Sequence, residues 1–341
     1  MTTQIGVRPR FFSRREFLLI ATALGIVRPS WAAKVDYPRV TAGRRLEFPR
    51  DHGAHPDFRT EWWYVTGWLD VPMGFQITFF RARPEEQSAN PSAFAPKQVL
   101  FAHAALSDPK LGRLLHDQVA ARAGLSLAEA ELERTGVWID DWQLVLEGNR
   151  YHAKIAAREF EFDFTFLAHD KPLLQGDHGF SRKGHRPEEA SYYYSRPQMN
   201  VVGSVNGRKV NGTAWLDHEW SSAYMAPEAA GWDWTGINFF DGRSTMAFQM
   251  RGSKGGVHYA PAGVSMQPLR WWKSPRTGVQ YPVSMQVNDL RLEPLMDDQE
   301  LDSRASTGTI YWEGAVRAFE GKNEVGRGYL ELTGYWKPMK L

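Results

Sequence analysis

Residues 159–166 carry the most regular pattern in the sequence, because a phenylalanine occupies every second position and a polar residue each position between. In a β-strand, successive side chains point to opposite faces, so the four phenylalanines would share one face. We expect that face to be buried. Similar runs continue to the C-terminus, divided by turn residues such as Asn206-Gly207 and Asp241-Gly242. Only residues 120–135 have a helical pattern. Two series of roughly eight short strands predict an all-β chain of two antiparallel barrels or sandwiches with few helices.

Two hairpins are predicted with well-defined turns. Residues 61–69 pair with residues 75–81, and residues 231–240 pair with residues 244–251 around Asp241-Gly242. The stretch 176–190 is rich in glycine and charged residues and is interpreted as the loop that ends the first half. We therefore expect an N-terminal domain at residues 33–186 and a C-terminal domain at residues 187–341.

Residues 1–32 have the composition of an export signal. Four arginines precede an apolar run at residues 17–27, and Ser30 and Ala32 are small residues at the cleavage-determining positions. The stretch 13–18 resembles the twin-arginine motif, which directs the export of folded proteins. We expect cleavage near Ala32 and a periplasmic or secreted protein, with a retained membrane anchor as the alternative.

Charge and cysteine content exclude several classes of protein. Residues 1–32 hold five arginines and one glutamate, so the rest of the chain is slightly acidic although the whole sequence has a formal charge of +2. We therefore expect no nucleic-acid partner. Cysteine is absent, so neither disulfides nor thiolate chemistry operates in this chain. The 14 tryptophans favour strands and apolar pockets.

Residues 213–222 pack two carboxylates, an imidazole and two indoles into one predicted strand. Alternation divides the centre of this stretch into two faces, with Trp215, Asp217 and Glu219 on one and Leu216, His218 and Trp220 on the other. Either face would confine an ionisable group beside an indole, where burial shifts its pKa. The pattern alone leaves open which face points inward. It also leaves open whether the cluster is a functional site or a buried charged cluster that joins two sheets.

Hydration of an isolated alkene requires an acid that protonates carbon, a base that orients water, and walls that tolerate a carbocation. Candidate acid–base residues are Asp217, His218, Glu219, Glu61 and Asp233. Candidate wall residues are Trp62, Trp63, Tyr64, Trp215, Trp220, Trp232 and Trp234. Plain core packing is the alternative for each tryptophan, and Trp62 and Trp63 have the further alternative of closing the bottom of a barrel.

Other kinds of chemistry lack their motifs. Residues 52–57 and 217–219 contain metal-ligand types, but neither has the i, i+4 helical spacing of a zinc protease, and we expect no metal. No Gly-x-Ser-x-Gly sequence occurs, which argues against serine hydrolase chemistry. Dinucleotide and Walker fingerprints are also absent, and we expect no cofactor.

Two distinctive boxes, Glu61-Trp62-Trp63-Tyr64 and Asp217-His218-Glu219-Trp220, are accompanied by the stretches 174–177, 192–195, 231–234 and 329–335. Together they resemble the AttH / hydroxyneurosporene synthase-like family, whose best-known members are carotenoid 1,2-hydratases. The resemblance implies two lipocalin-like barrels packed side by side. It also implies that Asp217 and His218 handle protons and that Tyr194 and Trp220 lie near a substrate. Exported members of this family are often labelled only as secreted hydrolases.

Two functions from different classes therefore remain open. The first is an exported protein that binds an apolar lipid-, polyene- or isoprenoid-like molecule in a barrel lumen, with an envelope transporter as one conceivable partner. The second is a periplasmic hydratase or lyase that uses the Asp-His-Glu-Trp box on an unsaturated apolar substrate. Both need an apolar cavity, but only the second needs converging acid–base groups. We favour the binding function, because the barrel geometry is supported more directly than any reaction. The sequence does not determine the oligomeric state.

Overall fold

The computed structural model describes residues 36–85 and 97–339, so the export signal predicted at residues 1–32 lies outside the described residues. The described chain forms β-strands and one short 3-10 helix at Arg50–His52. No helix within these ranges is long and apolar enough to cross a membrane.

Thirteen strands form the first antiparallel sheet. They are β1 (Thr60–Leu69), β2 (Gly74–Ala82), β3 (Val99–Ser107), β4 (Leu114–Arg122), β5 (Ala128–Ala130), β6 (Gly136–Ile139), β7 (Trp142–Glu147), β8 (Arg150–Ala156), β9 (Glu161–Leu167), β10 (Leu173–Leu174), β11 (Phe180–Arg182), β12 (Ala190–Val205) and β13 (Arg208–Ala223). Their order is β4-β3-β2-β1-β13-β12-β9-β8-β7-β6-β5, and β10 and β11 pair with β12.

Nine strands form the second antiparallel sheet. They are β14 (Ala229–Phe239), β15 (Ser244–Gly252), β16 (Val257–Tyr259), β17 (Met266–Lys273), β18 (Gln280–Val287), β19 (Leu290–Pro294), β20 (Glu300–Asp302), β21 (Ile310–Glu320) and β22 (Asn323–Leu332). Their order is β16-β15-β14-β22-β21-β19-β18-β17, and β20 pairs with β21. Each sheet curls into a barrel-like shape, which confirms the predicted all-β class of two lipocalin-like barrels side by side.

The chain changes from the first sheet to the second between Ala223 and Ala229. The long hairpin β12–β13 turns at Asn206-Gly207, as predicted, and both of its strands belong to the first sheet. The glycine-rich stretch 176–190 contains β11, which pairs with β12 and stays attached to that sheet. The change of sheet therefore lies later in the chain than the division predicted between residues 186 and 187.

The alternating phenylalanines lie in the core of the first sheet, as predicted. Phe160, Phe162, Phe164 and Phe166 are all buried, and the Phe164 ring centroid lies 4.8 Å from that of Phe75 on β2. The intervening polar residues face away from this core, because β9 keeps the period of two. Packed side chains therefore fill the space that the curled first sheet encloses.

The helix expected at residues 120–135 is not formed. β4 continues to Arg122 and β5 occupies Ala128–Ala130. Leu125 and Ser126 between them have φ angles of +56°, in the left-handed region that interrupts a right-handed helix. Residues 120–135 therefore form the end of one strand, a turn and a second strand in place of a helix.

The two sheets meet across a layer of aromatic side chains. Tyr64 and Trp215 of the first sheet pack with Trp234 and Tyr329 of the second. Gly236 permits this approach, because a Cβ atom there would lie 3.0 Å from the Trp215 ring and 2.7 Å from the Trp234 ring. The site described next lies within this interface.

Candidate active site

A cavity of about 310 Å³ lies between the two sheets. Its first wall comes from β1, β2, β3, β12 and β13, and its second wall comes from β14, β21, β22 and the segment 307–309. Its aromatic lining consists of Trp62, Tyr64, Phe80, Phe101, Tyr193, Tyr224, Trp232, Trp234 and Tyr311. Its ionisable lining includes His103, Asp217, Glu219 and Glu331. The cavity can hold a small, largely apolar molecule beside several carboxyl groups.

Alternation along β13 decides which face of the Asp-His-Glu-Trp box meets this cavity. Asp217 and Glu219 line the cavity, and Trp215 packs in the same inter-sheet layer. Leu216 and Trp220 belong to the core of the first sheet. The predicted division into two faces is therefore correct, and the carboxylate face is the one that meets the second sheet.

Asp217 accepts hydrogen bonds only from neutral donors among the described residues. The Tyr193 hydroxyl donates to Oδ2 at 2.7 Å, and the Ser195 hydroxyl and the Trp215 indole N–H donate to Oδ1 at 2.5 and 2.7 Å. Burial raises the pKa of Asp217 to about 7, against the opposing effect of these three donors. Asp217 is therefore poised to carry and release a proton near neutral pH.

Glu219, two residues further along the same face, has a cation beside it. Lys183 Nζ lies 2.8 Å from Glu219 Oε1, and the Ser191 hydroxyl also donates to that oxygen. The Lys183 ammonium is itself buried, 4.1 Å from the centre of the Phe248 ring and 4.8 Å from that of Tyr193. Burial raises the pKa of Glu219, and the positive charge of Lys183 opposes that rise. The two carboxyls of β13 thus have different electrostatic surroundings.

The second sheet contributes another pair of carboxyls, Glu313 on β21 and Glu331 on β22. They are direct cross-strand partners, so their side chains share the face that meets the first sheet. The Trp232 indole N–H donates to Glu331 Oε2 at 2.7 Å. Neither oxygen of Glu313 makes a hydrogen bond of ordinary geometry within the described part of the chain, but the buried residue lies beside the hydroxyls of Tyr64 and Tyr311, which favour its charged form.

The pKa values of this second pair are shifted in the same direction. Burial raises the pKa of Glu331 to about 7, and the negative charges of Asp217 and Glu219 add to that rise. Burial, together with the charge of Glu331, raises the pKa of Glu313 well above its usual range. Because the charge of Asp217 affects the pKa of Glu331, the carboxyls of β13 and those of the second sheet titrate as coupled groups.

His103 lines the cavity on the side of β3. Its Nδ1 lies 2.9 Å from the Tyr311 hydroxyl and its Nε2 lies 2.8 Å from the Ser306 hydroxyl. Burial lowers the pKa of His103 to about 3, so the imidazole is neutral at physiological pH. It therefore contributes hydrogen-bonding capacity rather than charge to the cavity.

His218 points away from the cavity face of β13, into the first sheet. Its Nε2 lies 2.9 Å from Glu61 Oε1, its Nδ1 lies 3.1 Å from the Tyr194 hydroxyl, and its ring stacks on Trp63 at 4.7 Å. Trp220 stacks on His55 in the same cluster. The structure therefore does not bring Asp217 and His218 together as a proton-handling pair, and it places Tyr194, Trp63 and Trp220 with His218 rather than in the cavity lining.

Glu61 borders the cavity, but its carboxylate is held by other side chains. Arg81 donates to Oε2 at 2.8 Å, and His55 Nδ1 lies 2.7 Å from Oε1. His55, Glu61 and His218 offer three potential metal-ligand atoms within 4.8 Å of one another. Each of these groups already makes hydrogen bonds, and the Arg81 guanidinium repels a second cation, so the cluster fits a buried hydrogen-bond network better than a metal centre.

Asp233 lies on the opposite face of β14 from Trp232 and Trp234. Arg251 donates to its Oδ1 at 3.0 Å, and Gln249 donates to its Oδ2 at 2.9 Å. Burial raises the pKa of Asp233, and the Arg251 charge opposes the rise. The two tryptophans line the cavity as the sequence suggested, whereas Asp233 belongs to a separate ion pair.

Several residues of the site were not recognised in the sequence. Lys183, Tyr193, Glu313, Glu331 and Tyr311 come from segments that are mostly far apart in the chain. Glu331 carried one detectable signal, because it is a charged residue between two apolar residues of a predicted strand. Lys183 lies in the stretch 176–190, interpreted as the loop that ends the first half, and its charge gave no indication that it is buried.

Comparisons with known proteins give one family and two informative structures. A family model described as AttH-like matches residues 39–335. A crystal structure from Nitrosomonas europaea described as a putative AttH is 47% identical, with a TM-score of 0.81, over 87% of this chain and 99% of that chain. The crystal structure of kievitone hydratase from Nectria haematococca is 14% identical, with a TM-score of 0.58, over 89% of this chain and 97% of that one, which shows a shared fold. A search of curated proteins gave no match.

Proposed function

The chain belongs to the AttH-like family, and on that premise we propose that it is a hydratase- or lyase-type enzyme. It adds water to, or removes water from, an apolar unsaturated molecule held in the cavity between the two sheets. The observation that carries this proposal is the position of Asp217, a buried carboxyl with a pKa of about 7 that opens into an aromatic cavity.

A carboxyl in this state suits acid catalysis on carbon. A general acid is most effective when its pKa lies near the working pH, because it is then both protonated and able to release its proton. Asp217 is fixed by Tyr193, Ser195 and Trp215, so its orientation is set before a substrate binds. Asp217 is therefore the proposed proton donor to one alkene carbon.

The cavity walls suit the carbocation that this protonation creates. The faces of Trp232, Trp234 and Tyr64 can each stabilise a neighbouring positive charge by about 0.5–2 kcal/mol. Glu219 adds a carboxylate on the same side, oriented by Lys183 and Ser191. The fold shared with a protein named as a hydratase supports the same class of reaction.

Ligand binding without catalysis is the second candidate function. It is favoured by the three hydrogen bonds that Asp217 already accepts, because a carboxyl so occupied can be purely structural. A carrier would use the same apolar cavity to hold a lipid-like molecule. The two functions differ in whether a bound unsaturated molecule is chemically changed.

Turnover in labelled water separates them. We would incubate the purified protein with a panel of apolar alkenes and the corresponding tertiary alcohols in ¹⁸O-labelled water, and identify products by mass spectrometry. Wild type is expected to form labelled alcohol from at least one alkene, and Asp217→Asn is expected to lose this activity by roughly 100-fold or more. The matched control is Asp163→Asn, an exposed aspartate on β9. Tight binding of panel members without any product would support the carrier instead.

We also propose, from the pattern of residues 1–32, that the protein is exported by the twin-arginine route to the periplasm or beyond. Replacing Arg14 and Arg15 together by lysine tests this. The variant is expected to remain in the cytoplasm on cell fractionation, whereas unchanged export would contradict the proposed route.

A further inference from the structure

We propose that Glu331 and Glu313 form an acid–base pair that shares one proton and that Glu331 takes a proton from the water molecule adding to the substrate, across the cavity from Asp217. This inference rests on the proposed hydratase or lyase function and assigns the residue that accepts the proton from water. Glu331 lines the cavity and is the proposed catalytic base, whereas Glu313 acts through Glu331 as a positioning residue.

The register of the second sheet makes the two glutamates a pair. Glu313 and Glu331 lie directly opposite each other on β21 and β22. Side chains at opposite positions of an antiparallel pair have Cβ atoms about 4.5–5.5 Å apart, so two carboxyl groups there are within reach of one proton. Glu313 is buried and Glu331 is partly buried where it lines the cavity, and no cation lies within ion-pair distance of either among residues 36–85 and 97–339. A pair of this kind stays singly protonated over a wide pH range, because two adjacent buried carboxylates repel each other.

The surroundings distinguish the two members of the pair. Glu331 receives a hydrogen bond from Trp232, which stabilises its charged form. Glu313 lies beside the hydroxyls of Tyr64 and Tyr311, but it is more deeply buried than Glu331, and burial together with the charge of Glu331 outweighs these two donors, so it is the member that holds the proton more tightly. Glu331, with a pKa of about 7, is therefore the member of the pair that ionises near neutral pH and can then accept a proton.

The position of Glu331 relative to Asp217 follows from the contacts of two tryptophans. Trp232 and Trp234 are two residues apart on β14, so their side chains lie on one face. Trp232 donates to Glu331 at 2.7 Å, while Trp234 donates to the Tyr193 hydroxyl, which itself donates to Asp217. The two carboxyls thus flank the same pair of indoles from opposite sheets, and a molecule resting on those indoles can be reached by both.

The proposed step balances in atoms and charge. The Asp217 carboxyl gives its proton to one alkene carbon, and the π electron pair forms the new C–H bond. The oxygen of water forms the C–O bond to the other carbon, and the proton that this water loses passes to the Glu331 carboxylate. Asp217 then regains a proton and Glu331 releases one, which restores the starting state. Removal of water follows the same path in reverse.

Titration of the carboxyls tests the pair without any substrate. In protein carrying ¹³C-labelled glutamate side chains, carbon NMR is expected to show one glutamate that titrates near neutral pH and a second that stays protonated to much higher pH. Glu331→Gln is expected to lower the midpoint of the second by at least about one pH unit, because the opposing charge is gone. An unchanged second midpoint would overturn the shared proton. Glu320→Gln, an exposed residue at the end of β21, is the control.

Hydrogen exchange separates the role of Glu331 from that of Asp217. With an alkene that wild type hydrates in D₂O, Glu331→Gln is expected to form roughly 100-fold less alcohol, yet still to place deuterium in the recovered alkene through Asp217. Asp217→Asn is expected to lose both reactions. Alcohol formation by Glu331→Gln within about twofold of wild type would overturn the assignment of the base.

Two variants of Glu313 test its positioning role. Glu313→Gln keeps a neutral hydrogen-bond donor beside Glu331, so its pH–rate profile is expected to match that of wild type. Glu313→Leu removes this donor, so the acidic limb is expected to move up by about one pH unit, because the Glu331 carboxylate is less stable. Identical profiles for the two variants would refute the positioning role. If no alkene in the panel is turned over by wild type, the proposed function fails, and the NMR titration still decides whether the pair shares a proton.

Discussion

Asp217 and His218 are neighbours in the chain but point to opposite faces of β13. Asp217 lines the cavity between the sheets, where three neutral donors contact it. His218 lies in the first sheet, where Glu61 and Tyr194 contact it. The Asp-His-Glu-Trp box therefore serves two purposes, because one face carries the proposed chemistry and the other joins a buried network that stabilises the first sheet.

Replacing Asp217 by asparagine is expected to change how stability depends on pH. Burial raises the pKa of Asp217 to about 7, above its value in the unfolded chain. The folded state therefore binds this proton more tightly, and the stability that results is lost as pH rises through about 7. The asparagine side chain cannot ionise, so Asp217→Asn is expected to gain stability relative to wild type between about pH 5 and about pH 9, by roughly 1.4 kcal/mol for each pH unit between about pH 5 and about pH 7, where the folded state holds this proton and the unfolded chain does not. Urea denaturation at both pH values measures this, and a constant difference would contradict it.

Replacing Lys183 by methionine is expected to act on Asp217 through Glu219. Without the ammonium 2.8 Å away, the pKa of Glu219 rises and the side chain becomes neutral. Its charge then no longer helps to raise the pKa of Asp217. In the hydration assay the basic limb of the pH–rate profile is expected to move to lower pH. Lys254→Met, at an exposed position, is the control, and a profile that falls in height without moving would point to a structural effect alone.

Replacing Glu61 by glutamine tests the structural role of the other face of the box. The substitution leaves buried Arg81 without its carboxylate partner, and loss of one member of a buried pair costs roughly 3–5 kcal/mol. Chemical denaturation is expected to show this loss, whereas Glu159→Gln, which disrupts the exposed pair with Arg113, is expected to have little effect. A stable Glu61→Gln protein that had lost only turnover would show that Glu61 belongs to the chemistry.

Replacing Trp232 by phenylalanine keeps an aromatic wall but removes the N–H that donates to Glu331. That hydrogen bond favours the carboxylate, so the pKa of Glu331 is expected to rise and the acidic limb of the pH–rate profile to move upward. Uptake of an apolar fluorescent probe is expected to change little. Trp271→Phe, at a half-exposed position on β17, provides the comparison, and equal profiles for the two variants would argue against the assigned contact.

The local sequence pattern predicted much of the fold and the part of the site that lies on β13. The alternating phenylalanines of residues 159–166 and the turn at Asn206-Gly207 predicted strands that the structure contains. Alternation also separated Asp217 from His218, although the resemblance had suggested that they act together. The helix predicted at residues 120–135 was wrong, because Leu125 and Ser126 adopt a left-handed backbone that interrupts a right-handed helix.

The other half of the site depends on how the two sheets pack. Glu313 and Glu331 reach the interface because β21 and β22 face β1 and β13, a relationship between segments far apart in sequence. Period-two patterning places a residue on a face but does not say which other sheet covers that face. Asp233 illustrates the limit, since its neighbours Trp232 and Trp234 line the cavity and it does not.

The most direct measurement is a carbon NMR titration of the Asp217 carboxyl, assigned by comparison with Asp217→Asn, in the presence and absence of an apolar alkene from the panel. We expect a midpoint near pH 7 in the free protein and a change in both chemical shift and midpoint when the alkene fills the cavity. A midpoint in the ordinary range of an aspartate, about 3.5–4, with no response to a bound alkene would contradict the proposal that Asp217 is the acid of an active site between the two sheets.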